Sequence, residues 1–211
     1  MTRTELRGLR PPPWEERDRY GFINALVLTI RLVLLEPGRP FRGMPLGLGV
    51  LQPVLFAAVL AVIGAVFDWM WSLALGSAPA LLGPRLGNLL RSPWFGAGQF
   101  LLSPVLVVAM VFVRAGLIHL VLRVVGGARF GFEATLRVVA YSRATRLLSI
   151  IPFCGGVLGL IWELAVTIIG IARMHGCAEW KAIVAVAIPV LLGLAVWTSW
   201  LLAMAGLALV A

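Results

Sequence analysis

The sequence predicts an all-α integral membrane protein with five transmembrane helices and an N-terminal interfacial amphipathic helix. Of its 211 residues, 61% are hydrophobic and only 13% are charged, whereas about a quarter of the residues of an average soluble domain are charged. The mean hydropathy is +0.98, which is typical of a chain that meets lipid over most of its length. Several apolar runs are long enough to cross a hydrocarbon core of about 30 Å.

The N-terminal part of the chain comes before the first of these runs. Residues 1–19 are polar and rich in arginine, and we expect a cytoplasmic basic tail there. Residues 20–36 predict a helix of about 25 Å at 1.5 Å per residue. This helix is apolar but short, and Asn24 and Arg31 lie seven residues apart on one face. A position in the membrane interface is therefore favoured over a span.

Residues 46–211 are predicted to form a single five-span membrane domain. Glycine, proline and charged residues interrupt the apolar sequence and separate the spans. The third and fourth spans are joined by a tight reversal at Pro152. The predicted spans are 48–75, 98–125, 133–151, 153–174 and 181–209.

The distribution of basic residues predicts the orientation, because short cytoplasmic segments carry an excess of Lys and Arg. With the N-terminus inside, the outer loop 76–97 holds only Arg85 and Arg91. The inner segments then hold Arg3, Arg7, Arg10, Arg17, Arg19, Arg31, Arg39, Arg42, Arg123, Arg129, Arg173 and Lys181. We therefore expect the N-terminus inside and the C-terminus outside, in the cytoplasmic (inner) membrane of a bacterium.

The net charge of +9 would suggest nucleic-acid binding in a soluble protein. Here most of the basic residues lie near the N-terminus without interleaved aromatic residues, so we assign them to anionic headgroups and expect no nucleic-acid partner. We recognise no catalytic triad, phosphate-binding loop or zinc-protease helix. The sequence therefore predicts a protein that is not an enzyme and that carries no cofactor.

Histidine and cysteine residues near the predicted inner surface raise the question of a metal centre. His119, His175 and Cys177 fall there, with Glu179 close by. A His-x-Cys pair is a weak signal, because tetrahedral sites need four well-placed ligands. We therefore predict no metal site.

Two features of the predicted fourth span concern packing and redox chemistry. Gly155 and Gly159 are spaced by four, which permits a close approach to the third span. Cys154 and Cys177 fall at opposite ends of the fourth span, so a disulfide between them is excluded.

The predicted third span contains Arg137, Arg143 and Arg146. An arginine at the bilayer centre costs about 2.5–3.5 kcal/mol on insertion scales. Arg143 lies nine residues before Pro152 and Glu163 lies eleven residues after it, which places both roughly 14–17 Å below the outer surface. We therefore predict an ion pair between Arg143 and Glu163 on adjacent antiparallel spans.

The remaining charges inside the spans have weaker predicted partners. Asp68 lies at a depth similar to that of Arg146, which predicts a second pair, and Arg114 competes for Glu163. Arg137 lies near the inner surface and is expected to reach the headgroups. The charge cluster either fixes helix packing or lines a cavity for an ion, a lipid or a substrate. Its members are Arg114, Arg143, Arg146, Glu163 and Asp68.

Two blocks of the sequence resemble the Yip family of Ypt/Rab-interacting membrane proteins, in particular its bacterial members. The first block, residues 18–45, is DRYGFINALVLTIRLVLLEPGRPFRGMP. The second, residues 119–175, is HLVLRVVGGARFGFEATLRVVAYSRATRLLSIIPFCGGVLGLIWELAVTIIGIARMH. The family pattern of a cytosolic N-terminus and five spans agrees with the layout predicted above.

The resemblance also implies motif positions. Eukaryotic members carry Asp-Leu-Tyr-Gly-Pro before the first span, and Asp18, Tyr20 and Gly21 match this motif, whereas its second and fifth positions differ here. A Gly-Tyr motif of the family corresponds to Ala140 and Tyr141.

The resemblance implies a non-enzymatic protein that organises membranes or acts as an adaptor, as eukaryotic relatives do in vesicle trafficking through small GTPases. We expect as partners membrane lipids, with anionic headgroups at the basic N-terminus, and a protein that the sequence does not identify. A homo-oligomer is left open. The alternative is a small transporter or channel in which the charge cluster lines a midplane cavity.

Overall fold

The computed structural model describes the backbone of residues 11–75 and 93–210, and the side chains of residues 11–71, 98 and 101–203. The first ten residues of the predicted tail lie outside the described residues. So do residues 76–92 of the predicted outer loop, with Arg85 and Arg91.

Helices make up the secondary structure of the described residues. A 3-10 helix (Pro13–Glu16) precedes a one-turn helix α1 (Arg17–Tyr20) and helix α2 (Phe22–Leu35). The remaining elements are α3 (Leu51–Leu75), α4 (Pro93–Val124), α5 (Phe132–Ser142), a second 3-10 helix (Arg143–Ile150), α6 (Gly155–His175) and α7 (Glu179–Val210).

Four of these helices, α3, α4, α6 and α7, are long and apolar enough to cross a membrane. Their candidate spans are Leu51–Trp71, Leu101–Val124, Gly155–His175 and Glu179–Ala203. They correspond to the first, second, fourth and fifth predicted spans. The prediction of an all-α membrane protein is confirmed, and α2 is the shorter apolar helix expected before the first span.

The predicted third span, 133–151, takes a different form. It consists of the 11-residue helix α5 followed by the eight-residue 3-10 helix, whose combined rise is about 32 Å. Hydroxyl groups explain the change of helix type, because they bond to carbonyls three residues back and compete with the α-helical ladder. The Ser142 hydroxyl donates to the Val139 carbonyl at 2.8 Å, and the Thr145 hydroxyl donates to the Ser142 carbonyl at 2.9 Å.

Helix α5 lies at the centre of the bundle. Residues 134–142 are all buried, and α5 packs against α3, α4 and α6, whereas α7 packs at the periphery on α4 and α6. The predicted span at the centre of the protein is thus the one with the least regular helix.

Two glycines bring α6 close to the 3-10 helix at 143–150. A side chain at Gly155 would overlap the Leu148 carbonyl, and a Cβ at Gly159 would lie 3.0 Å from the Thr145 carbonyl oxygen. The predicted close packing at these glycines is confirmed.

The chain before α2 folds against the bundle. Trp14 is fully buried; its backbone N–H donates to the Thr29 hydroxyl and its indole N–H to the Gln52 carbonyl, both at 2.8 Å. Helix α2 buries Ala25, Thr29 and Val33 on one face. The part of the expected tail from Pro13 onwards is therefore an integral piece of the fold.

Candidate functional site

The predicted ion pair inside the bundle is present, and Glu163 has two arginine partners. Arg143 Nη1 lies 3.6 Å from Glu163 Oε1, and Arg114 Nη1 donates to the same oxygen at closer range. The Glu163 side chain is only 4% exposed. One buried carboxylate thus offsets the charge of two guanidinium groups from α4 and the 3-10 helix, which reduces the cost of burying all three.

The second predicted pair joins α3 to the 3-10 helix. Arg146 Nη2 donates to Asp68 Oδ2 at 3.1 Å, and the two side chains are 46% and 55% exposed. Exposed pairs of this kind contribute about 0–1 kcal/mol. This pair therefore lies at the edge of the cluster and contributes little to its stability.

A cavity of about 160 Å³ lies among the members of the charge cluster, beside the first two turns of α6. Three arginines and one carboxylate line it. The lining residues are Arg114, Arg143, Thr145, Arg146, Ser149, Gly155, Gly156, Gly159, Leu160 and Glu163.

Arg137 does not reach the headgroups, and that prediction is wrong. Its side chain is fully buried. Its guanidinium group donates to Glu15 Oε1 at 2.7 Å, to Glu133 Oε1 at 3.0 Å and to the Gly49 carbonyl at 2.9 Å. Two carboxylates and a carbonyl replace the water that a surface position would have supplied.

One residue of the family motifs, Tyr141, joins the same network. The Tyr141 hydroxyl donates to Glu15 Oε1 at 2.5 Å, and the Tyr141 ring packs on Phe56 with centroids 5.1 Å apart. The motif residues Tyr20 and Gly21 end helix α1, five and six residues after Glu15 in the chain.

Gly21 turns the chain between α1 and α2. Its φ is +75° and its N–H donates to the Arg17 carbonyl at 2.7 Å. A residue with a side chain is strained at this φ. The third matching position, Asp18, is exposed on α1, and Tyr20 is half-buried beside a groove.

This N-terminal groove lies between the proline run, α2 and the turn after it, and has a volume of about 640 Å³. That is within the range of small-molecule sites, about 300–1,000 Å³. It combines arginines with apolar side chains. The lining residues are Pro11, Pro12, Pro13, Glu16, Tyr20, Leu28, Leu32, Arg39, Pro40 and Arg42.

The two histidines are joined through a hydroxyl group. The Thr135 hydroxyl lies 2.9 Å from His119 Nδ1 and 3.0 Å from His175 Nε2. In the described part of the chain, no three His, Cys, Asp or Glu side chains come together as metal ligands. The two contacts of the Thr135 hydroxyl join α4, α5 and α6. The His175 Nδ1 also accepts the Phe130 backbone N–H at 3.3 Å.

Glu15 is the residue of this region that the sequence did not reveal. It stands among basic residues of an apparently polar tail, where a carboxylate attracts no notice. The available signal was Trp14, because a large aromatic residue in a polar tail requires an apolar surface to bury it.

The sequence profile of the Yip1 domain matches residues 31–201. No curated protein and no solved structure matches the chain significantly. The profile match runs from the middle of α2 to the C-terminal half of α7, and it contains the whole charge cluster. This chain therefore belongs to the Yip1 domain family of membrane proteins.

Proposed function

We propose that this protein is a non-enzymatic membrane organiser that binds an anionic phospholipid of the cytoplasmic leaflet in its N-terminal groove. The observation that carries the proposal is that Tyr20, Arg39 and Arg42 line one groove together. The family motif and the basic turn, 19 residues or more apart in the chain, thus contribute to one surface.

The lining of the groove fits an amphiphile. Arg39 and Arg42 are exposed and suit a phosphate group, while Leu28 and Leu32 supply an apolar wall for an acyl chain. Arg39 also pairs with Glu36 at 2.9 Å, with side chains 71% and 53% exposed. Such a surface pair is weak, so Arg39 stays available to a headgroup.

The attachment of the N-terminal segment supports a built binding surface. Glu15 is held by Arg137 and Tyr141, so the prolines on one wall of the groove are held against the bundle next to buried Trp14. A rigid wall costs little conformational entropy when a ligand binds.

The alternative, a transporter or channel, is less well supported. A transport pathway needs an open, water-filled cavity that charged residues face. In the described side chains, Glu163 engages two arginines and Asp68 engages a third, and the cavity between them measures about 160 Å³. These charges are directed mainly at one another.

The test is purification of the full chain in native nanodiscs, followed by lipid analysis and cross-linking. We expect anionic phospholipid to be enriched over the surrounding membrane, and Arg39→Gln with Arg42→Gln to lower that enrichment. The matched control is Arg123→Gln with Arg129→Gln, which removes two exposed charges from outside the groove.

Equal enrichment in both double variants would overturn the proposal. If the Arg39/Arg42 double variant instead loses a cross-linked protein while its lipid enrichment is unchanged, the occupant of the groove is a protein partner and not a lipid.

The proposed orientation, N-terminus inside, has its own test in the two native cysteines. Cys154 is exposed and Cys177 half-buried, and both are free thiols; the 21-residue helix α6 separates them. A membrane-impermeant thiol reagent should label Cys154 in intact cells and Cys177 only after permeabilisation. Burial raises the pKa of the Cys177 thiol, so the labelling should be done at mildly alkaline pH, where more of it is thiolate. The reverse pattern would invert the orientation.

A further inference from the structure

The cavity within the charge cluster has a positive excess. Three guanidinium groups line it, from Arg114, Arg143 and Arg146, against the single carboxylate of Glu163. Asp68 approaches Arg146 from outside the lining. Even with Asp68 counted, three cationic side chains face two anionic ones. The free-energy cost of an uncompensated charge is high inside a membrane.

Three polar atoms around this cavity are buried and have no hydrogen-bond partner among the described residues: Arg114 Nη2, Arg143 Nε and Ser149 Oγ. All three residues line the cavity. Buried donors are nearly always paired in native proteins, because an unpaired one destabilises the fold. The three residues that carry these atoms all line one cavity, which favours an acceptor-rich ligand there.

The geometry of α6 adds to the positive potential. The helix has 21 residues and begins at Gly155, and the first two turns line the cavity through Gly155, Gly156 and Gly159. A helix N-terminus carries partial positive charge and free N–H groups, both of which favour an oxyanion. The Gly155 N–H is bonded to the Ile151 carbonyl at 3.0 Å. A Cβ at Gly156 would meet nothing within 4 Å, so the helix end is open at Gly156.

The cavity is reachable and large enough. Arg146 is 46% exposed at its edge. The indole N–H of Trp71 donates to the Ser149 carbonyl at 3.1 Å, and tryptophan is enriched at the headgroup level of membranes. A volume of about 160 Å³ far exceeds the roughly 10–15 Å³ that one water needs.

We propose that this cavity is a binding site for a phosphate oxyanion, in which Arg143, Arg114 and Ser149 donate hydrogen bonds to its oxygens. Guanidinium groups match phosphate in shape and charge. The oxyanion comes either from a phospholipid headgroup or from inorganic phosphate. The site extends from the predicted middle of the membrane towards its outer surface, and it does not depend on the occupant of the N-terminal groove.

The test uses two variants that keep the ion pairs. Ser149→Ala removes a hydroxyl that has no partner among the described residues, so no bond described in the fold is lost. Arg143→Lys keeps a positive charge near Glu163 but removes the Nε donor. Ser199→Ala is the matched control, because it removes a hydroxyl that donates to the Ala195 carbonyl of its own helix.

One arm measures phospholipid. The full-length protein is incubated in detergent with phosphatidylglycerol, and native mass spectrometry counts the lipids retained. The other arm titrates lipid-free protein with inorganic phosphate against chloride at equal ionic strength and follows thermal unfolding. Each variant loses a hydrogen bond to a charged group and should therefore bind at least about tenfold more weakly.

One lipid fewer per protein in both variants, with the control unchanged, assigns the site to a headgroup. Stabilisation by phosphate that the variants lose, without a change in retained lipid, assigns it to free phosphate. The proposal is overturned if the wild type responds in neither arm, or if Ser149→Ala and Arg143→Lys behave like the control. The Arg39→Gln/Arg42→Gln variant should retain the cavity ligand, which separates this outcome from that of the groove.

Discussion

Replacing Glu15 with alanine should detach the N-terminal segment from the bundle. Glu15 is 4% exposed and accepts from Arg137 and from the Tyr141 hydroxyl. Hydrogen bonds to a charged group are worth about 1.5–3 kcal/mol each. Removing one member of a buried pair typically costs 3–5 kcal/mol, and the two estimates agree. Arg137 keeps Glu133 and the Gly49 carbonyl, so the loss should fall on the docking of the segment and leave the rest of the fold intact.

The assay is tryptic cleavage after Arg17 in the full-length protein, because the protease reaches this bond only when the segment opens. At about 1.4 kcal/mol per factor of ten, a loss of 3 kcal/mol or more raises the open population at least about 100-fold. The control is Glu16→Ala. Glu16 is the next residue, and its carboxylate pairs with Arg19 at 4.0 Å, on a side chain that is 67% exposed. Its effect should stay within about 1 kcal/mol. Equal cleavage rates in the two variants would refute the role assigned to Glu15.

Two further substitutions test the interior through thermal unfolding in detergent. Glu163→Gln removes the carboxylate shared by two buried guanidinium groups and should destabilise the protein by about 3–5 kcal/mol. Asp68→Asn changes an exposed ion pair and should destabilise it by less than about 1 kcal/mol. Similar losses of stability in the two variants would contradict the assignment of Glu163 as the main partner of the buried arginines. Gly155→Ala should cost about 1–3 kcal/mol, because the new methyl group overlaps a backbone carbonyl. Gly156→Ala meets nothing within 4 Å and should be nearly neutral or slightly stabilising, so a larger cost at Gly156 than at Gly155 would count against the packing described here.

Depth along the chain was a good guide to which charged residues pair between neighbouring helices. The Arg143–Glu163 pair and the Arg146–Asp68 pair were both expected from residue counts, because helix rise per residue is constant. The counts could not rank Arg114 against Arg143 as the nearer partner of Glu163. That ranking depends on the rotation of α4 about its own axis, which a depth count does not contain.

The same counting failed for Arg137. It lies close to the predicted inner surface in sequence, and a surface arginine reaches water at little cost. The structure instead covers it with the segment around Glu15, 122 residues earlier in the chain. Apolar periodicity carries no signal for a contact of this range between a polar tail and a central helix.

The sequence by itself determined the membrane environment, the helical class and the bounds of four long spans, because burial in lipid demands continuous apolar helices whose backbone groups pair internally. The fold of the polar residues was decided only in three dimensions. The N-terminal segment docks, the central helix turns into a 3-10 helix, and unpaired donors gather around one cavity. Each of these features depends on side chains from distant segments meeting inside a low-dielectric bundle, where a hydrogen bond or an ion pair has a strength that it lacks in water.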